Sequence, residues 1–116
     1  FKIITPYDPQ RTLIENKLKM TNGELPWEDT VFNVDAFQGN EEDYIIISVV
    51  RTRGLGFLSS LRRVNVMLTR CKRGMFICSN RAFLESKGAE CLVGEMAKEF
   101  AEQAWVSIES IVAGNL

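Results

Sequence analysis

The chain has 116 residues, 46% hydrophobic and 25% charged, with a net charge of −1, which leaves room for one globular domain with its own core. There is no histidine, and the three cysteines, Cys71, Cys78 and Cys91, lack C-x-x-C spacing. Ser-His-Asp and Cys-His catalysis and a zinc site are therefore excluded within the chain, and the cysteine usage suits a reducing, intracellular compartment. The longest apolar stretch, Tyr44 to Val50, is broken by Ser48 and falls far short of the roughly 20 residues of a membrane span. Phe1 opens on a strand-like run, so neither a signal peptide nor a membrane anchor is expected.

In chain order, Phe1 to Thr5 reads as a buried strand ended by Pro6. Asp8 suits an N-cap and Pro9 the first helical position, predicting a helix over about Pro9 to Met20 with Leu13, Ile14 and Leu18 inward, ended by Asn22-Gly23. Val31 to Ala36 alternates as a strand with Phe32, Val34 and Ala36 on one face. Tyr44 to Val50 is apolar almost throughout, as in a parallel strand covered on both faces. The connection from Ala36 to Asp43 is shorter than the usual dozen-residue crossover, leaving either a hairpin or a single tight helical turn. After Gly54 and Gly56, Ser59 or Ser60 can cap a helix carrying Leu61, Val64 and Leu68 inward. Met75 to Ser79 reads as a strand, and Val93, Met96, Ala97, Phe100, Ala101 and Ala104 as the core stripe of a helix. Trp105 to Val112 reads as an edge strand. With no repeat, low-complexity segment or linker, the whole of 1–116 is expected to be one α/β domain with a mainly parallel sheet.

Charge is distributed in blocks. Between Glu24 and Asp43 stand seven acids and no Lys or Arg, whereas Arg51 to Arg81 holds eight Lys/Arg and no acid, a pattern expected to make a basic, phosphate-facing surface. Three segments carry the candidate chemistry. In Thr5-Pro6-Tyr7-Asp8-Pro9-Gln10-Arg11 a strand opens onto a helix N-terminus, where free N–H groups favour an anion. In Val34-Asp35-Ala36-Phe37-Gln38-Gly39-Asn40-Glu41-Glu42-Asp43 a carboxylate and an amide enter a glycine turn, where backbone can approach a ligand closely. In Arg62-Arg63-Val64-Asn65-Val66-Met67-Leu68-Thr69-Arg70, Arg63 and Arg70 fall about 20° apart and about 10.5 Å along one helical stripe. A guanidinium there can donate two N–H bonds to phosphate oxygens while remaining charged.

These segments resemble motifs IV, V and VI of superfamily 1B helicases of the nonsense-mediated-decay and senataxin-like kind, over about residues 3 to 84. Cys71 replaces the alanine common after the Thr-Arg pair, and Pro9 a frequent glycine, without removing a charge. The resemblance implies a three-layer RecA-like second motor domain, with Arg11 and the motif VI finger, Arg70, meeting the γ-phosphate. Gln10, Gln38, Gly39 and Glu41 would join them on the nucleotide side, and Thr5, Pro6, Arg51 and Thr52 would touch a single strand of RNA or DNA. ATP and Mg²⁺ are implied for an intact two-domain enzyme. The chain shows neither G-x-x-x-x-G-K-[ST] nor a strand-borne Asp-Glu, so the magnesium ligands belong to a first RecA-like domain of the same polypeptide. This piece alone is expected to be inactive, and the whole to work in the cytoplasm or nucleus. A non-catalytic nucleic-acid-binding or scaffolding domain with a helicase-like fold is the alternative.

Overall fold

Four short strands assemble into one sheet, the two central ones built on the isoleucine clusters Ile3-Ile4 and Ile45-Ile46-Ile47. The computed structural model describes residues 1–21, 23, 27, 29–37, 39–49 and 56–114. In chain order these form β1 (Lys2–Thr5), α1 (Asp8–Thr21), β2 (Val31–Asn33), β3 (Glu42–Ser48), a 3₁₀ turn (Gly56–Ser59), α2 (Leu61–Leu68), β4 (Cys71–Cys78), α3 (Arg81–Leu84), α4 (Leu92–Phe100), a second 3₁₀ turn (Ala101–Ala104) and α5 (Ile108–Val112). The strand order is β2-β1-β3-β4 and every pairing is parallel. From β1 the chain steps one way through α1 to β2, then back past β1 to β3 and on through α2 to β4. Right-handed crossovers place α1 on one face and α2 on the other. The α/β, RecA-like expectation is met.

Register and burial agree with this layering. Ile4 pairs with Ile47, and both are fully buried with Ile45 in a core completed by Val64 and Met67 of α2, Phe83 and Leu84 of α3, and Val93 of α4. The α1 side is thinner. No residue of α1 is fully buried, Leu13 is half exposed instead of inward, and Ile14 and Leu18 are only partly covered. Because α1 packs on β1 and β2, Tyr44 of β3 and Phe76 of β4 stay open to solvent, so β3 is not enclosed on both faces along its length.

Several boundaries differ from the sequence expectation. β2 stops at Asn33, because the Asn33 side chain accepts the Asp35 N–H at 2.9 Å and turns the chain off the sheet. Val34 and Phe37 are then buried on the α2 face, whereas Ala36 is exposed. The crossover to β3 is the single helical turn, not the hairpin: Phe37 N–H reaches Asn33 O, and Asn40 N–H reaches Phe37 O at 3.0 Å. Leu61 at the start of α2 is exposed, and Met67 takes the inward place beside Val64. The stripe beyond Val93 breaks at Ala101, leaving Phe100 in solvent. The tail is helical at α5, capped by Ser107, whose hydroxyl accepts the Ser110 N–H; it is not an edge strand. The acid and basic blocks also meet, through Arg63 with Asp35 and Arg73 with Asp43, so the basic block is not one uninterrupted phosphate-facing surface.

Candidate functional site at the two edges of the sheet

An all-parallel sheet has two chemically distinct edges, and the candidate residues divide between them. At the C-terminal edge β1 ends in Thr5 and Pro6, both buried. The Thr5 hydroxyl accepts the Tyr7 N–H at 3.4 Å as the chain bends into α1, so this side chain is turned inward and not toward a strand in solvent. Asn33 ties the same corner together, donating to Pro6 O at 3.4 Å and to Asp8 Oδ1 at 2.9 Å. Asp8 lies within the first turn of α1 and spends a carboxylate oxygen on Asn33. Gln10 Nε2 reaches Ser48 Oγ at 3.5 Å, at the last residue of β3. Arg11, in the same turn of α1, pairs with Glu15 at 3.2 Å.

The N-terminal edge holds Gly39, Glu41 and Arg70. Arg70 follows α2 and precedes β4, and its carbonyl accepts the Glu42 N–H at the first residue of β3. Glu42 and Ser48 are six residues apart on one strand, which puts the Arg70 backbone about 20 Å from the Gln10 contact. Arg11 and Arg70 are therefore not brought to a common point. The Arg63–Arg70 helical stripe is also not realised, because α2 ends at Leu68.

Three neutral acceptors hold the Arg70 guanidinium. Its Nε donates to Val66 O at 3.1 Å, one terminal nitrogen to Asn40 O at 3.3 Å and the other to Thr69 Oγ1 at 3.2 Å. Among the described residues no carboxylate comes within ion-pair distance of it, in contrast to Arg11. Gly39 and Glu41 flank Asn40, both exposed, and Gly39 takes a φ of +86°, a conformation natural to glycine. Glu42 accepts its neighbour Asp43's N–H, which holds its carboxyl below the usual range, and Lys2 and Lys72 lower it further. Gln38, Arg51 and Thr52 lie outside the described residues. Among those described, no group of three or more His, Cys, Asp or Glu stands ready to hold a metal ion. No helix described is long and apolar enough to cross a membrane.

Sequence reasoning missed three participants: Asn40, whose carbonyl aims Arg70; Asn33, which knots the opposite corner; and the Asp35–Arg63 pair between them. An asparagine at a strand end is a signal for a turn of the Asn33 kind; the other two are tertiary contacts with no local signature.

Comparison with known proteins bears on the same stretch. The family described as an AAA domain matches residues 1–82. A Neurospora crassa protein named regulator of nonsense transcripts 1 homolog is 48% identical over 84 residues, 67% of this chain and 8% of its own length. The Dictyostelium discoideum regulator of nonsense transcripts 1 is 46% identical over 88 residues, 71% of this chain and 7% of its own. The Schizosaccharomyces pombe ATP-dependent helicase upf1 is 44% identical over 85 residues, 67% and 9% respectively. The chain thus spans less than a tenth of each of these three relatives. With the matched segments, the parallel α/β sheet and these identities together, the chain belongs to the superfamily 1B helicases of the nonsense-mediated-decay kind.

Proposed function

We propose that this chain is the second motor domain of an ATP-dependent helicase, with ATP held by a first RecA-like domain of the same polypeptide meeting the N-terminal edge of its sheet. The observation that carries the reading is Arg70: a guanidinium fixed by three neutral acceptors, with no carboxylate among the described residues to neutralise it. Such a group is aimed before the nucleotide arrives, so little reorganisation is required when charge develops on the transferring phosphate. Gly39, Glu41 and the adjoining Gln38 make up the rest of the nucleotide side.

The C-terminal edge then faces a single strand of RNA or DNA. Relatives named for nonsense transcripts favour RNA. Thr5 and Pro6 serve there through the backbone they shape, because their side chains are buried, and Arg51 and Thr52 join them as strand contacts in this reading. Gln10 and Arg11 belong with this edge in the present reading, not with the γ-phosphate. Magnesium and the loop cradling the α- and β-phosphates come from the first domain, and the whole protein works inside the cell, in cytoplasm or nucleus.

The test is Arg70→Ala in the complete protein. Turnover of ATP with saturating single strand should fall by about 10³-fold or more, the range of an arginine finger, while the affinity for ATP changes only a few-fold. An unchanged turnover number removes Arg70 from that role and the motor reading with it.

A further inference from the structure

The helical crossover between β2 and β3 runs the full height of the sheet, from one functional edge to the other. It begins at the strand-facing edge, where Val34 N–H donates to Thr5 O at 3.1 Å, and ends at the nucleotide edge, where Asn40 O accepts from Arg70. Val34 and Phe37 are 3% and 4% exposed, so two side chains anchor the crossover in the core. α2 lies alongside it and meets it at both ends: through Arg70 just beyond the C-terminus, and through Arg63 near the N-terminus, which donates to Asp35 Oδ2 at 2.6 Å.

Between these two ends the packing is incomplete. A cavity of about 300 Å³ opens between the crossover and α2, lined by Val34, Asp35, Ser60, Arg62, Arg63 and Val66. Across that gap the charged pair is the bridge. Arg63 is also steadied from below, its guanidinium 4.4 Å over the ring of buried Phe57. We infer that Arg63 is a positioning residue: through Asp35 it ties the strand-facing end of the crossover to α2, and so transmits displacement at that edge to Arg70 at the other. This rests on the motor reading above and names the element that carries its coupling.

The pair is exposed, with side-chain accessibilities of 45% for Arg63 and 62% for Asp35, and exposed ion pairs contribute little to folding. Its loss should therefore leave the fold intact, and an effect on coupling is not a by-product of unfolding.

In the complete protein, the affinity for a non-hydrolysable ATP analogue is measured with and without a saturating single-stranded oligonucleotide, and the ratio of the two is the coupling. Arg63→Ala and Asp35→Ala should each reduce that ratio by about tenfold or to unity, with thermal midpoints near wild type. The doubly reversed variant, Asp35→Arg with Arg63→Asp, should recover most of it, and Arg63→Lys part of it. Single variants that keep the wild-type ratio overturn the inference, as does a reversed pair no better coupled than either single variant. If the wild-type protein itself shows neither coupling nor strand-stimulated turnover, the motor reading falls and this one with it; a coupled wild type with equally coupled variants sinks this one alone.

Discussion

The family likeness assigns Arg11 and Arg70 the same γ-phosphate role, and the structure gives them different electrostatic fates. Arg11 is neutralised one helical turn along by Glu15, an i,i+4 pair of ordinary surface kind. Arg70 is surrounded by carbonyl and hydroxyl oxygens, which orient a cation without cancelling its charge. That difference was not legible in the sequence, because Asn40 is thirty positions from Arg70 and only folding brings its carbonyl there. Gly39 was legible. Its φ of +86° is left-handed, and an added Cβ there would meet no atom within 4 Å, so the demand for glycine is conformational and not steric. Gly39→Ala should destabilise the chain by about 1–2 kcal/mol, seen as a lower urea midpoint with an unchanged slope, and Gly39→Asn by less. An Ala variant as stable as wild type would mean that the turn relaxes freely.

Among the elements, the tail departs furthest from expectation. Trp105, Val106, Ile108, Ile111 and Val112 suggested a strand by composition, but Ser107 supplies an N-cap and the segment closes into α5. What holds the preceding turn is Arg81 of α3, which pairs with Glu85 at 2.8 Å, pairs with Glu102, and lies 4.9 Å over the Trp105 ring. The Arg81 hydrogen bonds keep the Glu102 carboxyl below the usual carboxylate range. A depressed acid stabilises the fold above its unfolded pKa, about 4.3 for glutamate, and that contribution is lost as pH falls through the folded value. The stability difference between wild type and Glu102→Gln should therefore be largest near neutrality and close as the pH is taken below about 4, in thermal melts across that range. A difference independent of pH would show that the pair does not form in solution. α4 shows the opposite case, a contact that packing makes obligatory: an added Cβ at Gly94 would lie 2.0 Å from Gly88 O, so the helix sits against that loop only because the residue is glycine.

On the scale of the molecule, the parallel sheet sorts the chemistry. Segments that follow a strand, Thr5 to Arg11 and Val49, stand at one edge, whereas Asn40, Glu41 and Arg70, which precede a strand, stand at the other. A single such domain offers ATP one face only. The isolated chain should therefore hydrolyse ATP no faster than a buffer blank, and robust turnover by residues 1–116 alone would contradict the shared-site reading.

The sequence by itself determined the apolar runs that became β1, β3 and β4, the helices around Leu18, Val64 and Val93, and the three segments that carry the family likeness. These depend on neighbours within a few positions, through periodicity, turn residues and charge. Only the tertiary structure decided that β2 and β3 flank β1, that the short connection is a helical turn, and that Arg11 and Arg70 stand at opposite edges. Strand order and register are set by pairing between residues far apart in the chain, where burial of the Ile4, Ile45 and Ile47 side chains outweighs any local preference, and no local pattern encodes that outcome.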